Sequence, residues 1–102
     1  MPANPYVAPT QTTAPVANTT AGLWTFAAPA SKLLVTNRSG VTVYLRFNSG
    51  ANAATVAVHD ASLADGASEN YQAGWLGIGT FSTVSVWFPV TATVASFTVR
   101  GI

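Results

Sequence analysis

The chain has no cysteine, which excludes disulfide bonds and thiolate metal sites. Charge is nearly as scarce. Four Lys and Arg stand against three Asp and Glu, 7% of 102 residues, for a net charge of +1; about 25% charged residues is usual in a globular domain. So small a balance does not supply the basic patch on which an electrostatic nucleic-acid binder depends, and nucleic acid is not expected as a partner. Hydrophobic residues make up 49% of the chain, yet no run approaches the roughly 20 consecutive apolar residues of a membrane helix, so a membrane is not expected either. Met1-Pro2-Ala3-Asn4-Pro5 has neither a basic nor an apolar stretch and does not read as a secretory signal. The sequons Asn18-Thr19-Thr20 and Asn37-Arg38-Ser39 are accordingly expected to be coincidental.

An apolar chain with so few charges has little to keep free copies apart. The expectation that follows is a surface largely covered by other protein chains.

Composition divides the chain near residue 22. Four of the six prolines, Pro2, Pro5, Pro9 and Pro15, precede Gly22, and no charge precedes Lys32. Proline fixes φ and removes a donor, so residues 1–22 are expected to be an extended, polyproline-like arm. It offers few groups for a core, chiefly Tyr6, Val7 and Val16. Fully extended, such an arm spans roughly 70 Å, enough to cross a neighbouring subunit.

From residue 23 the pattern is that of strands. Leu23-Trp24-Thr25-Phe26 is one candidate and Lys32 to Asn37 (KLLVTN) a second. After the turn residues Arg38-Ser39-Gly40, Val41 to Asn48 (VTVYLRFN) alternates cleanly, with Val41, Val43, Leu45 and Phe47 on one side and Tyr44 and Arg46 on the other. These last two runs together read as a β-hairpin. Thr55 to His59 (TVAVH), Glu69 to Gln72, Leu76 to Phe81, Thr83 to Phe88 (TVSVWF) and Ser96 to Arg100 complete the strand candidates, and Asp65-Gly66 is a turn signal. No window supports a helix of ordinary length. Turn signals every 8–12 residues or so predict an all-β fold. The expected architecture is a compact antiparallel β-sandwich or jelly-roll-like domain over residues 23–102, carrying the extended N-terminal arm.

Chemistry has little material to work with. His59 beside Asp60 is the only His–acid neighbour pair, and no G-x-S-x-G nucleophile elbow is present. Asp60, Asp65 and Glu69 lack the dense carboxylate alternation of a calcium loop. Gly74 to Gly79 (GWLGIG) has no Lys-Ser/Thr after it to hold a phosphate. No catalytic residue, metal ligand or cofactor site is assigned.

Aromatic residues are the better lead. Trp24, Trp75 and Trp87, with Tyr44 and Tyr71, are many for one small domain. Tyr44 and Trp87 lie opposite the aliphatic stripes of their strands. Rings on an outer face bury in subunit interfaces, cover a second core or stack on sugars. The candidate partner-binding residues are therefore Pro5, Tyr6, Val7, Pro9, Pro15 and Val16 of the arm, and Trp24, Tyr44, Trp75 and Trp87 of the domain.

Residues 33–48 (LLVTNRSGVTVYLRFN), 62–72 (SLADGASENYQ), 84–88 (VSVWF) and the closing FTVRGI together resemble small virion proteins of tailed bacteriophages, and within that group capsid decoration, or cement, proteins. The resemblance covers roughly residues 30–102. It implies a compact β-domain, often a homotrimer, seated on the outer surface of the capsid, with the major capsid protein as partner and a terminal arm reaching over coat subunits. The expected function is thus a structural, non-enzymatic one. The alternatives are a carbohydrate-binding host-attachment module and a minor tail or connector component.

Overall fold

This computed structural model describes residues 7–49, 53–89 and 96–102. Among them run β1 (Thr10–Thr13), β2 (Gly22–Ala30), β3 (Lys32–Asn37), β4 (Val43–Phe47), β5 (Ala61–Leu63), β6 (Ser68–Gln72), the helical turn α1 (Ala73–Leu76), β7 (Phe81–Trp87) and β8 (Phe97–Gly101). The strands form two antiparallel sheets, one ordered β1-β2-β7-β4-β5 and the other β6-β3-β8.

Alternation explains how the two sheets meet. Val43, Leu45 and Phe47 of β4 are buried while Tyr44 and Arg46 are half-covered. Leu33 and Val35 of β3, and Phe97 and Val99 of β8, turn inward from the other sheet. Rings bridge the layers. Phe97 sits 5.6 Å from both Trp24 and Phe88, and Phe47 lies 5.3 Å from Tyr71; within the five-stranded sheet Phe47 also meets Phe81 at 5.2 Å. Each such side chain contributes about 1.5–3 kcal/mol by its burial. Between the Thr25–Thr83 and Ala30–Phe81 pairs the register of β2 slips. Pro29 falls in this stretch, where its missing N–H costs no ladder bond.

Residues 7–22, the described part of the expected arm, lie against this body, and Gly22 already opens β2. Val7 exchanges both backbone hydrogen bonds with Gly101 (2.6 and 2.9 Å), β1 pairs with β2, and the Asn18 N–H donates to Phe88 O at 2.6 Å. The Thr-rich segment TQTT suits a strand, and Pro9 and Pro15 fall outside it. Pro5 and Tyr6 lie outside the described residues.

Three expected elements differ. KLLVTN and VTVYLRFN do not form a hairpin, because β3 belongs to the three-stranded sheet and β4 to the five-stranded one. Asn37 makes this corner. It is fully buried, its Nδ2 donates to Val41 O (2.8 Å) and Leu63 O (2.9 Å), and its Oδ1 accepts from the Ser39 N–H (3.1 Å) and Oγ (2.7 Å). The β5–β6 crossing is tied to the same corner, since Asn37 O accepts from the Gly66 N–H and Asp65 Oδ1 from the Gly40 N–H. TVAVH is not a strand. Its Val56 and Val58 are exposed, and the segment closes a local turn in which the Thr55 N–H donates to Val58 O and the Val58 N–H to Thr55 Oγ1. Leu76 to Phe81 is not extended throughout, since Gly77 and Gly79 take φ of 71° and 74° and β7 begins only at Phe81.

Candidate functional site

The expected contact residues that lie among the described residues do not converge on one place. Trp24 is corrected to a core residue, 9% exposed against Phe97, because the three-stranded sheet covers the face of β2 on which it stands. Val7 and Val16 are exposed, Pro9 and Pro15 half-covered, the latter against Gly22. Tyr44 and Trp87 are neighbours across β4 and β7, as their alternation requires, on the outer face of the five-stranded sheet. Trp75 stands apart on α1.

Trp75 is the most conspicuous side chain of the surface, 76% exposed. Its position is set by its neighbours. Ala73 is buried, its N–H donates to Ser31 O (3.0 Å), and its carbonyl accepts from the Ile78 N–H (3.1 Å). Gly77, in the left-handed region that glycine occupies without strain, closes the turn after Leu76. One buried anchor and one capped turn thus hold an indole out into solvent beside the exposed Leu76. A hollow of about 320 Å³ opens next to it between Phe47, Asp60, Leu76 and Ile78.

Two further concavities bracket the five-stranded sheet. An apolar one of about 270 Å³ lies between Val7, Phe26, Pro29 and Ile102. The other, about 440 Å³, lies where residues 53–55 cross over β7. There the Ala54 N–H donates to Ser85 Oγ at 2.9 Å, and Ala54 is itself buried. Thr13, Thr20, Ser85 and Trp87 line this groove. Sequence reading singled out only Trp87 of the four. The alternation of TVSVWF already placed Ser85 on the same side as Trp87, but nothing in it showed that residues 53–55 would roof that side.

The groups considered for chemistry are committed to structure. The exposed His59 lies against Tyr44, ring centroids 4.7 Å apart and planes tilted by 59°, with Nδ1 3.3 Å from Thr55 O. Its neighbour Asp60 accepts the Phe47 N–H at 2.8 Å, and Asp65 accepts the Gly40 N–H. No three His, Asp or Glu gather as a metal site among the described residues, and no described helix is long and apolar enough to cross a membrane.

Tyr71 gives the surface one pH-dependent feature. Burial, assisted by the Glu69 carboxylate, pushes its hydroxyl up to about 12 from 10. Above pH 10 the unfolded chain releases this proton while the folded one keeps it, so stability falls as pH rises from 10 to 12. Urea midpoints measured across that window should decline for the native chain and decline less for Tyr71→Phe, which has no hydroxyl to ionise.

No family model, curated protein or solved structure matches the chain, so the functional reading rests on this geometry and on the sequence.

Proposed function

We propose that the protein is a structural component of a virion, a decoration protein that binds the assembled capsid from outside and stabilises it. The observation that carries this reading is Trp75, held 76% exposed on a capped turn of a chain with only 7% charged residues. Rigid, exposed tryptophan is costly to leave in water and is the residue type most enriched among interface anchors. In this reading Trp75 and Leu76 seat in the major capsid protein. The apolar hollow by Val7 and Ile102 offers the surface for self-association into a homotrimer. The N-terminal residues, Pro5 and Tyr6 among them, reach across coat subunits, and the two-sheet body belongs to the jelly-roll-like group. Binding the intact lattice and not its separated subunits stabilises the shell by mass action, and several weak contacts on one body raise the effective affinity.

Two measurements test it. The copy number in purified particles should approach that of the major coat protein; a handful of copies points instead to a tail or connector component, and absence from particles removes the reading. In shell-binding assays Trp75→Ala should weaken association by about 30-fold, the size of a single hot spot, with an unchanged melting temperature because the ring contacts solvent. Deleting residues 1–6 leaves β1 in place and should weaken binding further. Shells decorated equally well by the Trp75→Ala chain would sink the role assigned to this turn.

A further inference from the structure

We infer that the groove beside Trp87 is a binding site for a neutral saccharide. The proposal is independent of the virion reading and of Trp75.

The chemistry of the lining selects the ligand class. Among the described residues no ionisable side chain borders the groove. Arg46, which faces Ser85 across β4 and β7, is not part of the wall. A phosphate, a carboxylate or a cation buried there would meet no opposite charge, which burial makes costly. What the groove offers is hydroxyl groups and one aromatic ring. The Thr13 and Thr20 hydroxyls and the Trp87 indole N–H have no partner among the described residues. Ser85 is 2% exposed, and its Oγ accepts from the Ala54 N–H. That bond uses a lone pair and leaves the hydroxyl proton to be donated. Donors and acceptors of both kinds therefore face one space of about 440 Å³, a volume within the usual range of small-molecule sites.

The apolar part of the lining fits the same ligand. A pyranose presents a C–H face and a rim of hydroxyls. Trp87, half-covered at the end of β7, supplies the flat surface for the first; Thr13, Thr20 and Ser85 supply partners for the second. Beyond the groove Tyr44 continues from Trp87 across the sheet, and His59 meets Tyr44 at 4.7 Å in a tilted contact. This row of rings would carry a second sugar unit.

A peptide strand fits less well. Strand addition needs a free sheet edge, whereas β7 is paired on both sides, with β2 and with β4, and the groove lies over its face.

The test uses the full chain and a panel of methyl glycosides of glucose, galactose, mannose and N-acetylglucosamine, their β-1,4-linked dimers, and glucuronate. Binding is read by ¹H–¹⁵N NMR, with the Trp87 indole signal assigned by its loss in Trp87→Phe. At least one neutral member should shift that signal saturably, together with the amides of Thr13, Thr20 and Ser85. Dimers should bind more tightly than monomers. Trp87→Ala should weaken binding by about tenfold or more, equivalent to one good contact. Thr20→Val, nearly isosteric and on the surface, keeps the fold and should weaken it several-fold, so the proposal stays testable if Trp87→Ala fails to fold. Three results overturn it: no neutral member perturbing the Trp87 signal at about 20 mM, where even millimolar affinities register; a response confined to glucuronate; or binding that survives Thr20→Val and Trp87→Ala unchanged. None of these outcomes bears on shell binding through Trp75, which uses different residues.

Discussion

Asn37→Ala should lower the stability of the fold by about 4 kcal/mol, a large share of the roughly 5–15 kcal/mol available to a domain of this size. All four hydrogen-bonding positions of the amide are used. Two protons go to the carbonyls of Val41 and Leu63, and the oxygen receives the N–H and hydroxyl of Ser39. Alanine leaves these groups in a corner with no access to water at residue 37, and each buried group left unpaired costs about 1–3 kcal/mol. The partners belong to two of the inter-sheet crossings, β3–β4 and β5–β6, so the loss is not confined to one loop. The melting temperature should fall on the order of 15–20 °C. Asn37→Asp keeps the shape but turns a carboxylate oxygen toward two carbonyls. It should be as unstable as alanine at neutral pH and recover partly on acidification, when a protonated carboxyl can donate to one of them. A loss below about 1 kcal/mol in Asn37→Ala would falsify the view that this amide holds the corner.

Gly101→Ala should cost about 3 kcal/mol, toward the upper end for overpacking. Residue 101 lies at the inner end of β8, where an added Cβ would run into the Phe26 ring and come within 2.8 Å of Ala30 Cβ. Both obstacles belong to β2. Relief requires β8 to move away from it, which strains the paired hydrogen bonds between Gly101 and Val7. Phe26→Leu in the same chain should return part of the loss, because the two sites are in contact and couple. Gly40→Ala is the useful comparison. Nothing lies within 4 Å of its added Cβ, but its φ is +93°, so the expected cost is only about 1–2 kcal/mol and comes from the backbone. Urea unfolding of the three variants distinguishes the two kinds of glycine. If Gly101→Ala unfolds at the native midpoint, the close approach of β2 and β8 is not rigid.

These two residues also mark where local sequence stops being informative. KLLVTN was legible as a strand over the very residues it occupies, Lys32–Asn37, because a short apolar run, Leu33-Leu34-Val35, is followed by the turn residues Arg38-Ser39-Gly40. TVSVWF was legible by its strict alternation, which correctly set Trp87 on the side away from Val84 and Val86. Asn37 itself carried no such signal. It figured only as the end of KLLVTN and in a sequon expected to be coincidental, but the carbonyls that hold it come from Val41 and from Leu63, 26 positions away. TVAVH shows the converse. Its alternation was a sound strand pattern, yet no strand among the described residues pairs with it and Thr55 closes it into a turn. Of the candidate contact residues, the outward aspect of Tyr44 and Trp87 was readable from their own strands. The burial of Trp24 and the prominence of Trp75 were not, since the first depends on a sheet packed above β2 and the second on Ala73 being anchored to Ser31.

The sequence by itself determined that the protein is all-β, where most of its strands run, and which side of the alternating ones is apolar, because these follow from neighbouring residues along one chain; β1 and β5 carried no such signal. Only the tertiary structure decided which strands share a sheet, which aromatic rings remain at the surface, and that Thr13, Thr20, Ser85 and Trp87 border one groove. Those outcomes depend on pairings between distant segments, and a turn residue specifies that the chain bends without specifying which sheet it enters.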